Sequence, residues 1–142
     1  MITDEEVQAA IDKLDSLNGR NKTKWERIPT TRPGYNSRGS FYDENNKIIC
    51  LGLKARIDDV VHEYAHVVFD SRYRCLLSFQ AEGGPHGARF IAILEEVVTK
   101  FYGDAKLYPN WDDEYPHITG YAFAKGYINT PITKRLRNTE FS

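Results

Sequence analysis

Between Val60 and Val68 the chain reads VVHEYAHVV, two histidines four residues apart inside a run of valines. No other stretch constrains the fold as much. With its flanks included, Ile57, Val60, Val61, Tyr64, Val67 and Val68 recur at steps of three and four, the period of a helix with a broad apolar stripe. A strand would throw successive side chains to opposite faces and scatter the same set. The spacing therefore predicts a helix from about Ile57 to Asp70. Asp58 and Asp59 fall in its first turn, where the helix dipole favours negative charge.

On such a helix His62 and His66 project from one face, one turn apart, at the flank of the stripe. Each can place a ring nitrogen about 2 Å from a single Zn²⁺. Glu63 is turned about 100° from His62, close enough to reach the same region without ligating the ion. The division of labour explains the spacing. Two neutral imidazoles and a third ligand hold zinc, the fourth position stays open for water, and the glutamate takes that water's proton. The third ligand on offer is His86, in GGPHGARF, where a Gly-rich loop opens the next helix. Asp59 and Asp70 lie a turn either side of the pair and could orient the imidazoles through their second nitrogens. The plainer alternatives are a helix with two part-exposed histidines, a loop histidine at 86 and ordinary helix-end acids.

Composition narrows the class. At 142 residues the chain reads as one domain over 1–142, long enough to bury roughly two-thirds of its unfolded surface. With 41% hydrophobic and 27% charged residues it has the balance of a globular protein. No apolar run approaches the roughly 20 residues of a membrane span, so no membrane partner is expected. MITDEEVQAA is acidic and amphipathic, unlike a secretory signal, and two cysteines, Cys50 and Cys75, are too few for a disulfide scaffold. A cytoplasmic location follows as the expectation.

Net charge is −1, which argues against a global attraction to nucleic acid. One cluster does stand out: Arg20, Lys22, Lys24, Arg27, Arg32 and Arg38, interleaved with Trp25 and Tyr35, could track a phosphate backbone. Lys134, Arg135 and Arg137 add to it near the end, while acids gather between Asp104 and Glu114. Weak or no nucleic-acid binding is the expectation.

The remaining elements follow from local signals. Thr3 and Glu6 form a capping box ahead of Val7, Ala10, Ile11, Leu14 and Leu17, with Gly19 closing a first helix. From Lys22 to Leu53 the pattern turns to short aromatic and β-branched segments. There SFYDENNKIICLGL predicts two strands joined by a turn at Asp43 to Asn46, with Lys47 to Leu53 the better strand. A third helix is predicted from about His86 to Tyr102, ended by Gly103. The last forty residues, rich in Tyr, Pro and Gly, read as a mostly irregular flap packed by its aromatics. The fold class is α+β: a small antiparallel sheet packed against the histidine helix, an N-terminal helix and a following helix.

Taken together, SFYDENNKIICLGLKARIDDVVHEYAH and the later GGPHGARF resemble the core of the SprT-like, or Spartan-type, HExxH metallopeptidases. In that family a strand hairpin precedes the HExxH helix, and the third zinc histidine opens a His-Gly-Pro-x-Phe motif. The resemblance runs from about Ser37 to Gly103. It implies a minigluzincin-like fold, His62, His66 and His86 as zinc ligands, and Glu63 as catalytic base. His86, Gly87 and Phe90 match the second motif, whereas Ala88 replaces its usual proline and Arg89 stands where an acid is common. The two cysteines cannot build the zinc ribbon that targets many relatives to DNA. Small bacterial or phage metallohydrolases built on the same two motifs are similar as well.

The leading expectation is a zinc-dependent peptidase whose polypeptide substrate lies extended along a sheet edge, pairing with a strand such as Lys47 to Leu53. Tyr121, Tyr127, His117 and Arg89 are the candidates to steady the oxyanion. Two other classes stay open: a module in which zinc is structural or its catalytic apparatus vestigial, and a nucleic-acid-associated factor using the basic cluster.

Overall fold

The first helix shows how neighbouring residues set a boundary. In the computed structural model, which describes residues 2–28, 39–73 and 88–114, α1 (Asp4–Leu17) starts after Thr3. The Thr3 hydroxyl accepts from the Glu6 amide at 3.1 Å, and the Glu6 carboxylate accepts from the Thr3 amide at 3.2 Å. The expected capping box is closed. At the other end Asn18 is followed by Gly19 at φ +65°, a left-handed position that glycine takes without a Cβ penalty. Val7, Ala10, Ile11 and Leu14 are buried, and Asp15 is buried with them.

Three short strands, β1 (Lys24–Arg27), β2 (Phe41–Asp43) and β3 (Ile48–Leu51), form a sheet in the order β1–β3–β2. β2 and β3 are the expected hairpin, antiparallel, with Phe41 opposite Cys50 and Asp43 opposite Ile48. Asp43 builds the turn: its carboxylate accepts from the amides of Asn45 and Asn46 and from the Asn46 side chain. Lys47 completes it at φ +58°. β1 joins the other side of β3 in parallel, with Trp25 level with Ile49. The sheet is thus mixed, where the sequence predicted antiparallel pairing throughout. The hairpin explains this. By reversing the chain between β2 and β3, it lets β3 run in the same direction as β1.

β3 lies in the middle, with Ile49, Cys50 and Leu51 buried, as its place between two partners demands. β1 is tied to α1 by polar contacts. The Trp25 indole N–H donates to the Gln8 side chain at 2.8 Å, and Arg27 donates to Asp4 at 3.1 Å and to the Ile2 carbonyl at 2.7 Å.

Backbone proximity divides the chain between Asp70 and Ser71. α2 (Ile57–Arg72) belongs to the first unit up to Asp70 and ends two residues later than the sequence predicted. The second unit contains α3 (Ala88–Tyr102), whose Phe90, Ile91, Ile93, Leu94, Val97 and Val98 are buried at helical spacing. Full burial of such a side chain contributes roughly 1.5–3 kcal/mol. Gly103 ends the helix at φ +82°, its amide donating to the Thr99 carbonyl at 2.8 Å.

A 3₁₀ turn (Ala105–Leu107), capped by Asp104, and a short α4 (Trp111–Glu114) follow. Trp111 donates to the Ala105 carbonyl at 2.6 Å and meets Tyr108 edge-to-face, ring centroids 5.0 Å apart. The start of the segment expected to be irregular is therefore ordered by its aromatics; residues 115–142 lie outside the described set. Within this unit Arg72 forks onto Glu96 with two bonds of 2.9 Å, and Lys100 adds a third at 3.1 Å. Among the described residues no helix is long and apolar enough to cross a membrane.

Candidate metal centre

α2 carries the chemistry, and its start is fixed locally. The Asp59 carboxylate accepts from the Arg56 amide at 2.8 Å, while the Arg56 carbonyl accepts from the amides of Asp59 and Val60. Asp58, buried, pairs with the Arg56 guanidinium at 3.2 Å. From Val60 to Phe69 every residue is buried except His62 and His66, which are half-buried. With Asp59 before them and Asp70 after them, also half-buried, they form the polar seam that the helical period leaves opposite the apolar stripe.

His62, Glu63 and His66 each offer a ligand atom, and these atoms all lie within 4.8 Å of one another. The two imidazoles stand edge to face, centroids 5.1 Å apart, with their planes at 68°. Glu63 Oε1 is 3.8 Å from His62 Nε2, and Glu63 is only 5% exposed. Tetrahedral zinc holds nitrogens at about 2.0–2.1 Å, which separates two ligand nitrogens by about 3.3 Å. Two imidazoles one turn apart with a carboxylate beside them, all ligand atoms within 4.8 Å, are a donor set that fits a zinc ion. His86, the expected third ligand, lies outside the described residues, as do His117, Tyr121 and Tyr127; the Arg89 side chain is likewise not described.

The two acids that could have oriented the imidazoles are engaged elsewhere, as ordinary helix-end charges would be. Asp59 caps the helix start. Asp70 accepts from the Tyr42 hydroxyl at 3.0 Å and from Lys47 Nζ at 2.6 Å, tying the end of the seam to the hairpin. Burial, and then the bond to Asp70, push the Tyr42 phenol well above its ordinary range. The one-turn spacing raised the idea of a bond to the imidazoles, but a hairpin hydroxyl and ammonium satisfy Asp70 instead.

A residue that sequence reasoning passed over does hold the helix. Asp15 of α1, 4% exposed, accepts from the Tyr64 hydroxyl at 2.7 Å, from the Thr23 amide at 3.0 Å and from the Thr23 hydroxyl. Tyr64, completely buried, is the residue directly after Glu63. Desolvation and then the bond to Asp15 raise its phenol pKa. The signal was present: Asp15 sits four residues after Ile11 and eight after Val7, on the apolar face of its helix.

One further expectation changes. β3 has a partner on each side, so it is not an edge on which a peptide could lie; among the described residues the edges are β1 and β2. In the basic cluster, Arg27 is committed to Asp4 and to the Ile2 carbonyl, while Arg32, Arg38, Lys134, Arg135 and Arg137 fall outside the described residues. In the acidic run, Asp104 caps the 3₁₀ turn and Glu114, buried, accepts from the Tyr108 hydroxyl at 3.1 Å. Comparison with protein-family models, curated proteins and solved structures finds no match.

Proposed function

We propose that this chain is a zinc-dependent hydrolase, best read as a peptidase of the cytoplasm. The observation that carries the reading is the cluster itself: two half-buried imidazoles and a buried carboxylate with ligand atoms within 4.8 Å, on consecutive turns of one helix. His62 and His66 would hold the ion, with His86 as the third ligand on the strength of the sequence motif. When bound, zinc supplies Lewis acidity that polarises a carbonyl. Glu63 does the proton work: its carboxylate takes a proton from the attacking water and returns it to the departing amine nitrogen. Burial of Glu63 beside the imidazoles keeps bulk water from screening that exchange.

An extended polypeptide would pair with β2, an edge of the sheet among the described residues, rather than with the enclosed β3. Tyr42 lies on that strand and holds Asp70 of α2, so the edge and the histidine helix are fastened together. Nucleic-acid binding is weak or absent in this reading, given the net charge of −1 and the engagement of Arg27. Cys50 is a buried thiol, in keeping with a reducing compartment.

Elemental analysis of the purified protein tests the reading. Wild type should hold about one zinc per chain, His62→Ala and His66→Ala should hold none, and His86→Ala should bind at least about tenfold more weakly. Full zinc occupancy in His62→Ala or His66→Ala would overturn the site. Full occupancy in His86→Ala alone would move the third ligand elsewhere.

A further inference from the structure

α2 presents its ligands through a helix whose Val60, Val61, Val67 and Val68 are buried, and the hydrophobic force behind that burial is non-directional. Directional bonds fix the helix's rotation more narrowly. Within the described part of the first unit, α2 is gripped by hydroxyl–carboxylate bonds at two places, Tyr64 to Asp15 and Asp70 to Tyr42. The first is the better placed to matter. Tyr64 follows Glu63 directly, and its hydroxyl is completely buried against an acceptor that two Thr23 donors hold still. The acceptor stands on a helix that is itself pinned to β1 through Gln8 and Asp4.

We propose that Asp15 and Tyr64 are positioning residues for the metal centre: their hydrogen bond sets the rotation of α2 that gathers His62, Glu63 and His66 at one point. The proposal rests on the zinc reading above. Asp15 reaches the site only through Tyr64, and Tyr64 only through the backbone of α2. The length of the lever is one residue, so a small rotation at Tyr64 swings Glu63 and both imidazoles together. Zinc, which asks for ligands within a narrow distance range, registers such a rotation as lost affinity.

Tyr64→Phe removes one oxygen and keeps the buried ring. Zinc affinity by competition with a chromophoric chelator, the visible absorption of the cobalt(II)-loaded protein, and chemical unfolding of the metal-free protein should be measured together. Tyr64→Phe should bind zinc about tenfold more weakly, at the low end of what ligand-supporting residues contribute. It should also alter the cobalt bands, which report ligand geometry. Asp15→Asn keeps an acceptor for the Tyr64 hydroxyl, so its affinity should fall between the two; it also serves as the test if Tyr64→Phe does not fold.

A purely structural role predicts something else: lower stability of the metal-free protein, with zinc affinity and cobalt spectrum unchanged in both variants. That result overturns the proposal and leaves the zinc reading standing. Wild-type protein that takes up neither metal overturns the zinc reading, and the proposal with it.

Discussion

One carboxylate of α1 and one of the two that α2 buries lie at nearly the same depth, Asp15 at 4% exposure and Glu63 at 5%. Their surroundings differ in kind. Asp15 is met by an amide and two hydroxyls, donors that hold a charge without exchanging protons near neutral pH. Glu63 stands beside two imidazoles, groups that ligate metals. Burying an unpaired charge is costly, so both sites need compensation, and the compensating groups decide what each carboxylate can do. Depth of burial marks neither as functional; the neighbours do.

The sharpest way to break this comparison is to neutralise each carboxylate in turn. Glu63→Gln should lose turnover by roughly 10²–10⁴-fold, because the amide cannot accept the water's proton. Its zinc content and unfolding midpoint should match wild type. Equal turnover in the variant would take Glu63 out of the proton transfer and return the site to a zinc-binding module without catalysis.

Asp15→Ala should lower stability, which Glu63→Gln leaves unchanged. Loss of the acceptor strands the Tyr64 hydroxyl and the Thr23 amide in the interior, and a cost of roughly 3 kcal/mol in unfolding free energy is expected. Urea unfolding of the metal-free protein reads this directly, and a change under about 0.5 kcal/mol, the scale of ordinary surface substitutions, would refute it.

Smaller effects distinguish charged from neutral holding groups through pH. Tyr42 is stabilised as the neutral phenol, so its contribution is complete below its unfolded value of about 10 and is lost as pH rises above that. Tyr42→Phe should therefore flatten the alkaline decline in stability; an unchanged decline would show the phenol to be no part of it.

The Glu96 carboxyl, lowered to about 2 chiefly by the Arg72 fork, works in the opposite sense. Its contribution is present above its ordinary value and fades as pH falls towards 2. The pair is more than a third exposed on both sides, so less than about 1 kcal/mol is at stake. Wild type and Glu96→Gln should differ at pH 6 and converge near pH 2. A gap that persisted in acid would assign the effect to packing.

What the sequence made legible is what neighbours along the chain decide. Thr3 and Glu6 are three residues apart, Asp43 builds its turn within three, and the seam of α2 follows from the helical period. Glycines 19 and 103 sit at the left-handed positions their placement announced. The α+β class and the helix, hairpin and helix order followed from the same signals. Illegible were pairings across long separations. Nothing local says that Trp25 should lie level with Ile49, or that Tyr64 should find Asp15 forty-nine residues back. An acid on an apolar face does announce that a partner exists, though not which. The enclosure of β3 was hidden for the same reason, and with it went the expectation that a peptide pairs there.

Among the described residues the order β1–β3–β2 leaves two open edges on a very small sheet. Open edges invite strands from other molecules, and a chain that survives at high concentration must discourage growth there. Here the deterrent is brevity and charge. β2 offers three residues and ends in Asp43, already committed to its turn, while β1 offers four, three of them the charged Lys24, Glu26 and Arg27. Repeated addition of strands, the route to fibres, would need longer and more apolar rails than either edge provides. A single guest segment asks for less: it has only to pair once, and to leave.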